Sequence, residues 1–228
     1  MNKTNKRFNV RNLVFMALIC ALAYICTFVL HIKVSFLTFD LKNTVFAIGS
    51  LIFGPVSAIV TSLVVALLEM ITISDTGIWG CIMNFLTGAV YAFFVGLVYK
   101  YKKTLSGAML GLVVGSVATV VLMCLWNLVI TPIYTGQPVE AILDMMLPLI
   151  LPFNAIKVIT CSAATMMLYK PVRTVFKGAG VNFSSDGKYS LNKKTLLITV
   201  VSALIIVLCV VLFIFCLNGS FSLYENLS

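Results

Sequence analysis

Between Leu105 and Ile130 the chain carries no charged side chain, and a run of that length exceeds the roughly 20 residues with which a helix crosses bilayer hydrocarbon. No water is available there to bond the backbone, so the run must fold as a helix that pairs its own N–H and C=O groups. Comparable runs recur along the sequence, with charge confined mostly between them. Hydrophobic residues make up 61% of the 228 and charged residues 10%, where globular domains carry roughly 25% charge. The expected fold class is an all-α integral membrane protein.

Hydropathy places spans over residues 12–30, 44–53, 56–73, 78–99, 105–130 and 147–169, with a last one over 195–217. The segment after the first span is amphipathic and contains His31, Lys33 and Asp40. Gly54-Pro55 is a turn and restart signal, since proline is tolerated in a first helical turn. The second and third spans should therefore form a tight hairpin. At about 1.5 Å per residue the second reaches only about 15 Å, so it is expected to be extended, tilted or partly unwound. A loop over 131–146 precedes the sixth span, whose entrance holds Pro148 and Pro152 and should be irregular.

Lysines and arginines set the orientation. With a cytoplasmic N terminus, the basic start (Lys3, Lys6, Arg7, Arg11), the loop with Lys100, Lys102 and Lys103, and the 170–194 segment all fall inside. Seven spans then leave the C terminus outside. The first span is long enough to cross and has no Ala-x-Ala exit, so it is expected to stay in the membrane rather than be cleaved as a signal. The net charge of +9 is thus a topology signal rather than a nucleic-acid surface. Residues 178–194, rich in glycine and serine, read as a cytoplasmic linker. They separate a six-helix membrane domain over 1–177 from an additional transmembrane helix over 195–217 and an extracellular tail over 218–228.

Catalytic and metal chemistry is poorly supplied. The seven cysteines form no Cys-x-x-Cys pair and fall mostly in apolar runs, which indicates neither a disulfide framework nor a zinc site. There is one histidine, His31, and no phosphate-binding loop, His-Glu-x-x-His or Gly-x-Ser-x-Gly motif. Neither an enzyme nor a resident cofactor is expected. Glu69 is the main carboxylate within the spans; a turn or so from the outer end of the third, it reads as an interfacial group rather than part of a proton relay.

Lys157 stands out as the only charged group from Leu147 to Tyr169. A charge at mid-helix in a membrane costs on the order of 3 kcal/mol unless it faces a partner or a wet cavity, so it marks a candidate site. Asn154, three residues earlier, lies on the same helix face. An amide and an ammonium together suit a planar ligand rich in oxygen and nitrogen, such as a heterocycle. Asn84 and Asn127 add groups in neighbouring spans that lipid cannot satisfy. The plainer alternative is that the asparagines fasten helices together and Lys157 snorkels outward.

Five segments carry a resemblance: Leu37-Thr38-Phe39-Asp40, Phe53-Gly54-Pro55, Asn84-Phe85-Leu86-Thr87-Gly88, the stretch from Trp126-Asn127 to Pro132-Ile133-Tyr134, and Leu151-Pro152-Phe153-Asn154-Ala155-Ile156-Lys157. In this order and spacing the chain resembles, over about residues 10–175, the substrate-binding S components of energy-coupling factor (ECF) vitamin transporters, most closely the riboflavin-specific S component. The resemblance implies a six-helix bundle with a vitamin pocket near the outer face, closed by the loop after the first helix. It implies that Asn127, Asn154 and Lys157 hydrogen-bond the isoalloxazine ring, that Thr38, Phe39, Asp40 and Leu41 form the lid, and that Asn84 belongs to the pocket. Trp126 is read as core packing. Ala17 and Ala21 match the family's Ala-x-x-x-Ala pattern, which implies close approach of a transmembrane coupling subunit; ordinary packing within the bundle is the alternative.

The same resemblance implies a mechanism. The S component captures vitamin outside a bacterial-type plasma membrane, docks on the coupling subunit and its two ATPases, and is toppled to release ligand inward. After Asp40 the chain reads Leu41-Lys42-Asn43-Thr44, where riboflavin-binding relatives commonly carry Ser-Asp-Val-Pro or similar. Three readings stay open: a riboflavin S component, the same architecture selecting another vitamin or heterocycle, and a non-transport scaffold or sensor. The appended helix lies outside the usual six-helix plan.

Overall fold

Proline, glycine and one buried carboxylate decide where several helices begin and end. The structure, a computed structural model, describes residues 10–34, 37–74, 76–178, 197 and 199–212. Lys3, Lys6, Arg7, Asp75, nearly all of the expected linker and the C-terminal tail lie outside that set.

Helix α1 (Val10–Val29) leads into an antiparallel hairpin of β1 (Ile32–Val34) and β2 (Leu37–Phe39), with Lys33 paired to Thr38. Helix α2 (Lys42–Phe53) starts where the Asp40 carboxylate accepts the Lys42 backbone N–H at 3.2 Å. An anion there satisfies an otherwise orphaned donor and complements the helix dipole. The helix ends at Gly54, whose φ of 94° suits glycine, and Pro55 opens α3 (Pro55–Thr72) at its first position. The expected helical hairpin is present. Helices α4 (Gly77–Tyr101) and α5 (Leu105–Thr135) follow, then α6 (Val139–Met145), a π-helical turn (Met146–Ile150), α7 (Leu151–Gly178) and α8 (Thr199–Leu212).

Helices α1, α3, α4, α5 and the continuous α6–α7 rod are each long and apolar enough to cross a membrane. The short α2 is a regular helix, extended by Lys42 and Asn43 beyond the expected apolar stretch rather than unwound. It packs against α1, α3, α4 and α7, and most of its residues are buried. Protein rather than lipid covers it, so its length need not match the bilayer.

The expected loop over 131–146 is not a loop. Helix α5 continues through Pro132 to Thr135 and stops at Gly136, where φ is 70° and the N–H donates to the Pro132 carbonyl at 3.0 Å. Proline within the last turn removes a single helical hydrogen bond, and the glycine in left-handed conformation terminates the helix. Only residues 136–138 separate α5 from α6. The irregular entrance expected around Pro148 takes the form of the π-helical turn that contains it. A widened turn of this kind accommodates a residue with no N–H to donate.

Large apolar side chains such as Val113, Val117, Leu125 and Val129 of α5 cover the outside, as lipid contact requires. Inside, small residues let helices approach. Gly107, Gly111 and Gly115 recur every four residues on α5. A Cβ at Gly111 would lie 2.8 Å from the Val95 carbonyl oxygen and one at Gly115 2.7 Å from that of Tyr91, distances that force the α4 and α5 backbones apart. A buried core of Tyr91, Val95, Leu112, Val158 and Cys161 fills the layer beneath the site.

Candidate functional site

Four buried charges alternate in a chain across the bundle. The Lys157 ammonium lies 3.0 Å from the Asp40 carboxylate, Asp40 lies 3.6 Å from Lys42, and Lys42 donates to Glu69 at 2.6 Å. Lys157 also donates to the Thr38 carbonyl at 2.8 Å, which fastens β2 to α7. At the other end Thr27 of α1 donates to one oxygen of Glu69 at 2.9 Å, and the Asn84 amide of α4 donates to the other at 2.9 Å. The network thus joins α1, the hairpin, α2, α3, α4 and α7. Buried charges persist only when paired and hydrogen-bonded, and each of these is. Burial pushes the Asp40 carboxyl upward, but the two lysines and their hydrogen bonds outweigh it and hold its pKa below the usual carboxylate range.

Beside this network is a cavity of 350 Å³ bounded by parts of α1, α2, α3, α4, α5 and α7 and by the hairpin. Thr38, Asn84, Asn127, Asn154 and Lys157 all line it, so five of the eight residues singled out as substrate contacts converge on one space. The other three do not line it. Asp40 is fully buried behind Lys157. Phe39 packs edge-on against Phe153, with ring centroids 6.4 Å apart at 85°. Leu41 is half-buried beside apolar clusters at the start of α2. They support the wall rather than form it.

Two of the asparagines are held in place by their own helices. Asn127 donates to the Met123 carbonyl at 2.7 Å and accepts from Thr131 at 2.9 Å. Asn154 donates to the Ile150 carbonyl, the last residue of the π-helical turn, at 2.8 Å. Each amide retains bonding capacity beyond these contacts. Lys157 uses two of its three N–H donors on Thr38 and Asp40, so one remains.

Sequence reasoning missed part of this site. Glu69, read as an interfacial carboxylate, is instead buried and accepts three hydrogen bonds at the cavity wall. Lys42 had no assigned role and proves to link the two carboxylates. The signal available was their opposite charge, Lys42 at the start of α2 and Glu69 near the end of α3, although nothing in the sequence pairs them. His31 also lines the cavity, and neither of its ring nitrogens has a hydrogen-bond partner among the described residues. An unmade bond of this kind costs about 1–3 kcal/mol, which a bound ligand can recover. The aromatic residues at the cavity are Trp79, Tyr134 and Phe153. Trp126 is half-buried on α5 away from it.

Ala17 and Ala21 lie on the exposed side of α1, whereas Ile19, Ala23 and Thr27 are buried against the bundle. The two alanines therefore do not serve ordinary packing among the described helices. They leave a shallow strip on a surface otherwise covered by Leu18, Leu22 and Ile25.

Comparison with known proteins agrees with this architecture. The family model for the substrate-specific component of ECF transporters matches residues 11–169. The riboflavin transporter RibU of Staphylococcus aureus (strain TCH60) is 27% identical over 184 residues, covering 77% of this chain and 96% of that protein. A solved structure of the S component of a bacterial ECF transporter superposes with a TM-score of 0.63 at 26% identity, covering 73% of this chain and 98% of the other. With its membrane-crossing helices, a cavity lined by both polar and apolar side chains, and a family match over most of its length, the chain belongs to the substrate-specific components of ECF transporters, membrane proteins that bind a substrate for transport and are not enzymes.

Proposed function

We propose that this S component captures riboflavin, or a closely related flavin, in the 350 Å³ cavity and hands it to a separate ATP-driven ECF module. The observation that carries the reading is the convergence of Asn127, Asn154 and Lys157, from two helices, on one cavity. An isoalloxazine ring presents carbonyl oxygens and ring nitrogens along one edge. Residual donors and acceptors on two amides and one ammonium match such an edge. Trp79, Tyr134 and Phe153 offer apolar faces to the ring. The hydroxylated chain of a flavin would meet Glu69, Asn84, Ser74 and Thr76, groups that exchange hydrogen bonds with hydroxyls. The RibU relative supports the same ligand.

Flavin fluorescence tests this directly. Titrating riboflavin with the purified protein should quench its emission to a one-to-one endpoint with a submicromolar Kd. Absence of quenching at tens of micromolar protein would remove riboflavin, and titration with other heterocyclic vitamins would then identify the class. The Lys42–Glu69 pair at the cavity is the observation that favours such a second reading, because it places charge where another ligand could use it.

Docking on the coupling subunit is assigned to the Ala17–Ala21 strip, with the N terminus cytoplasmic and the cavity opening outward. Ala17→Trp or Ala21→Trp would add an indole to a surface that needs close helix approach. Either variant should lose co-purification with the ECF module, by at least about tenfold, while riboflavin titration stays unchanged. Co-purification at the original yield would count against this interface.

A further inference from the structure

Helix α8 lies beyond residues 11–169, the stretch matched by the family model, and its contacts single it out. Its residues divide cleanly by face. Ser202 and Cys209 are buried, each with 5% exposure, and Ile205 is partly buried between them, whereas Leu204, Val207, Leu208 and Val211 are exposed. Residues 202, 205 and 209 recur at helical spacing and so form one stripe. That stripe has a definite partner. Cys209 and Ile205 share an apolar cluster with Leu37 and Phe39 of the hairpin and with Phe153 and Ile156 of α7.

Those partners are the immediate neighbours of the cavity. Thr38, between Leu37 and Phe39, gives its carbonyl to Lys157, and Phe153 and Ile156 flank Asn154 and Lys157 along α7. A three-residue strand pair is too short to be stable by itself, so packing from α8 adds to the Lys157–Thr38 bond and the Phe39–Phe153 contact that hold it against the bundle. We propose that α8 is a strut that positions the substrate lid: Ile205 and Cys209 press β2 and the start of α7 together and thereby keep Thr38, Asn154 and Lys157 in register. The inference rests on the reading of the hairpin as the lid of the flavin site. Three linkages carry β2 to α7: a polar one through Lys157 and Thr38, the direct edge-on contact of Phe39 with Phe153, and the apolar packing of Ile205 and Cys209 of α8 against both elements.

The strut is tested in the full chain with Ile205→Ala/Cys209→Ala, set against Leu204→Ala/Val207→Ala on the opposite face of the same helix. Amide hydrogen exchange over residues 32–39 is followed without ligand, together with exchange in the middle of α5. Removing the inner contacts should accelerate exchange of the hairpin about tenfold and leave α5 unchanged, while the outer-face variant matches wild type. Riboflavin release, followed by the return of flavin fluorescence after dilution, should quicken by a similar factor only in the inner-face variant. Unchanged hairpin exchange, equal acceleration in α5, or equal effects of both variants would overturn the strut, as would faster exchange with unaltered release. If wild type binds no flavin, the riboflavin reading fails and hairpin exchange alone decides the strut.

Discussion

Replacing Lys157 by methionine is expected to raise the Kd for riboflavin about a hundredfold, because a hydrogen bond from a charged group contributes about 1.5–3 kcal/mol. The variant also removes one of the two cations beside Asp40, which is fully buried, so the unliganded protein should melt several degrees lower. These effects can be separated. In Lys157→Met/Asp40→Asn the uncompensated carboxylate is gone, and stability should recover while binding stays weak. Isothermal titration and thermal unfolding in detergent measure the two quantities. If the double variant regains affinity as well as stability, Lys157 acts only through Asp40 and makes no contact with ligand.

Glu69→Ala should have the largest effect on folding. It removes the nearer of the two carboxylates paired with the Lys42 ammonium, leaving only Asp40 at 3.6 Å, and takes acceptors from Thr27 and Asn84 together. Breaking a buried ion pair from one side costs about 3–5 kcal/mol, enough to consume much of an ordinary stability margin. Glu69→Gln keeps one acceptor oxygen and should fall between alanine and wild type. A melting temperature for the alanine variant within a degree or two of wild type would show that the network does not hold the helices. Acid acts on the same network through Asp40. Its folded pKa is lowered, so its stabilising contribution is complete above about pH 4, where the unfolded carboxyl ionises, and is lost as pH falls through the folded value.

Much of the bundle was legible because lipid leaves so few options: an apolar run of membrane length has to be a helix. The polar exceptions were legible for the same reason, and Asn84, Asn127, Asn154 and Lys157 all reach one cavity. Pairing was not legible. Lys42 and Glu69 lie 27 residues apart on different helices, and each considered alone is an ordinary charge near a span end. The extent of α5 was misjudged at Pro132 because proline's effect depends on how much helix follows it. Here the stop comes from Gly136, and the proline costs little. The expected additional span over 195–217 gave no sign of a preferred face, and the buried stripe of α8 emerged only with the hairpin and α7 in place to receive it.

The two lysines and two carboxylates of the buried chain form ion pairs whose formal charges cancel. Moving one uncompensated elementary charge through a potential of 100 mV takes about 2.3 kcal/mol, and a cluster that cancels internally escapes this term. A flavin without a phosphate adds no charge of its own. Were the site to change depth or tilt in the bilayer, as the proposed delivery to an ATP-driven module requires, these four charges together would do no work for or against the membrane voltage.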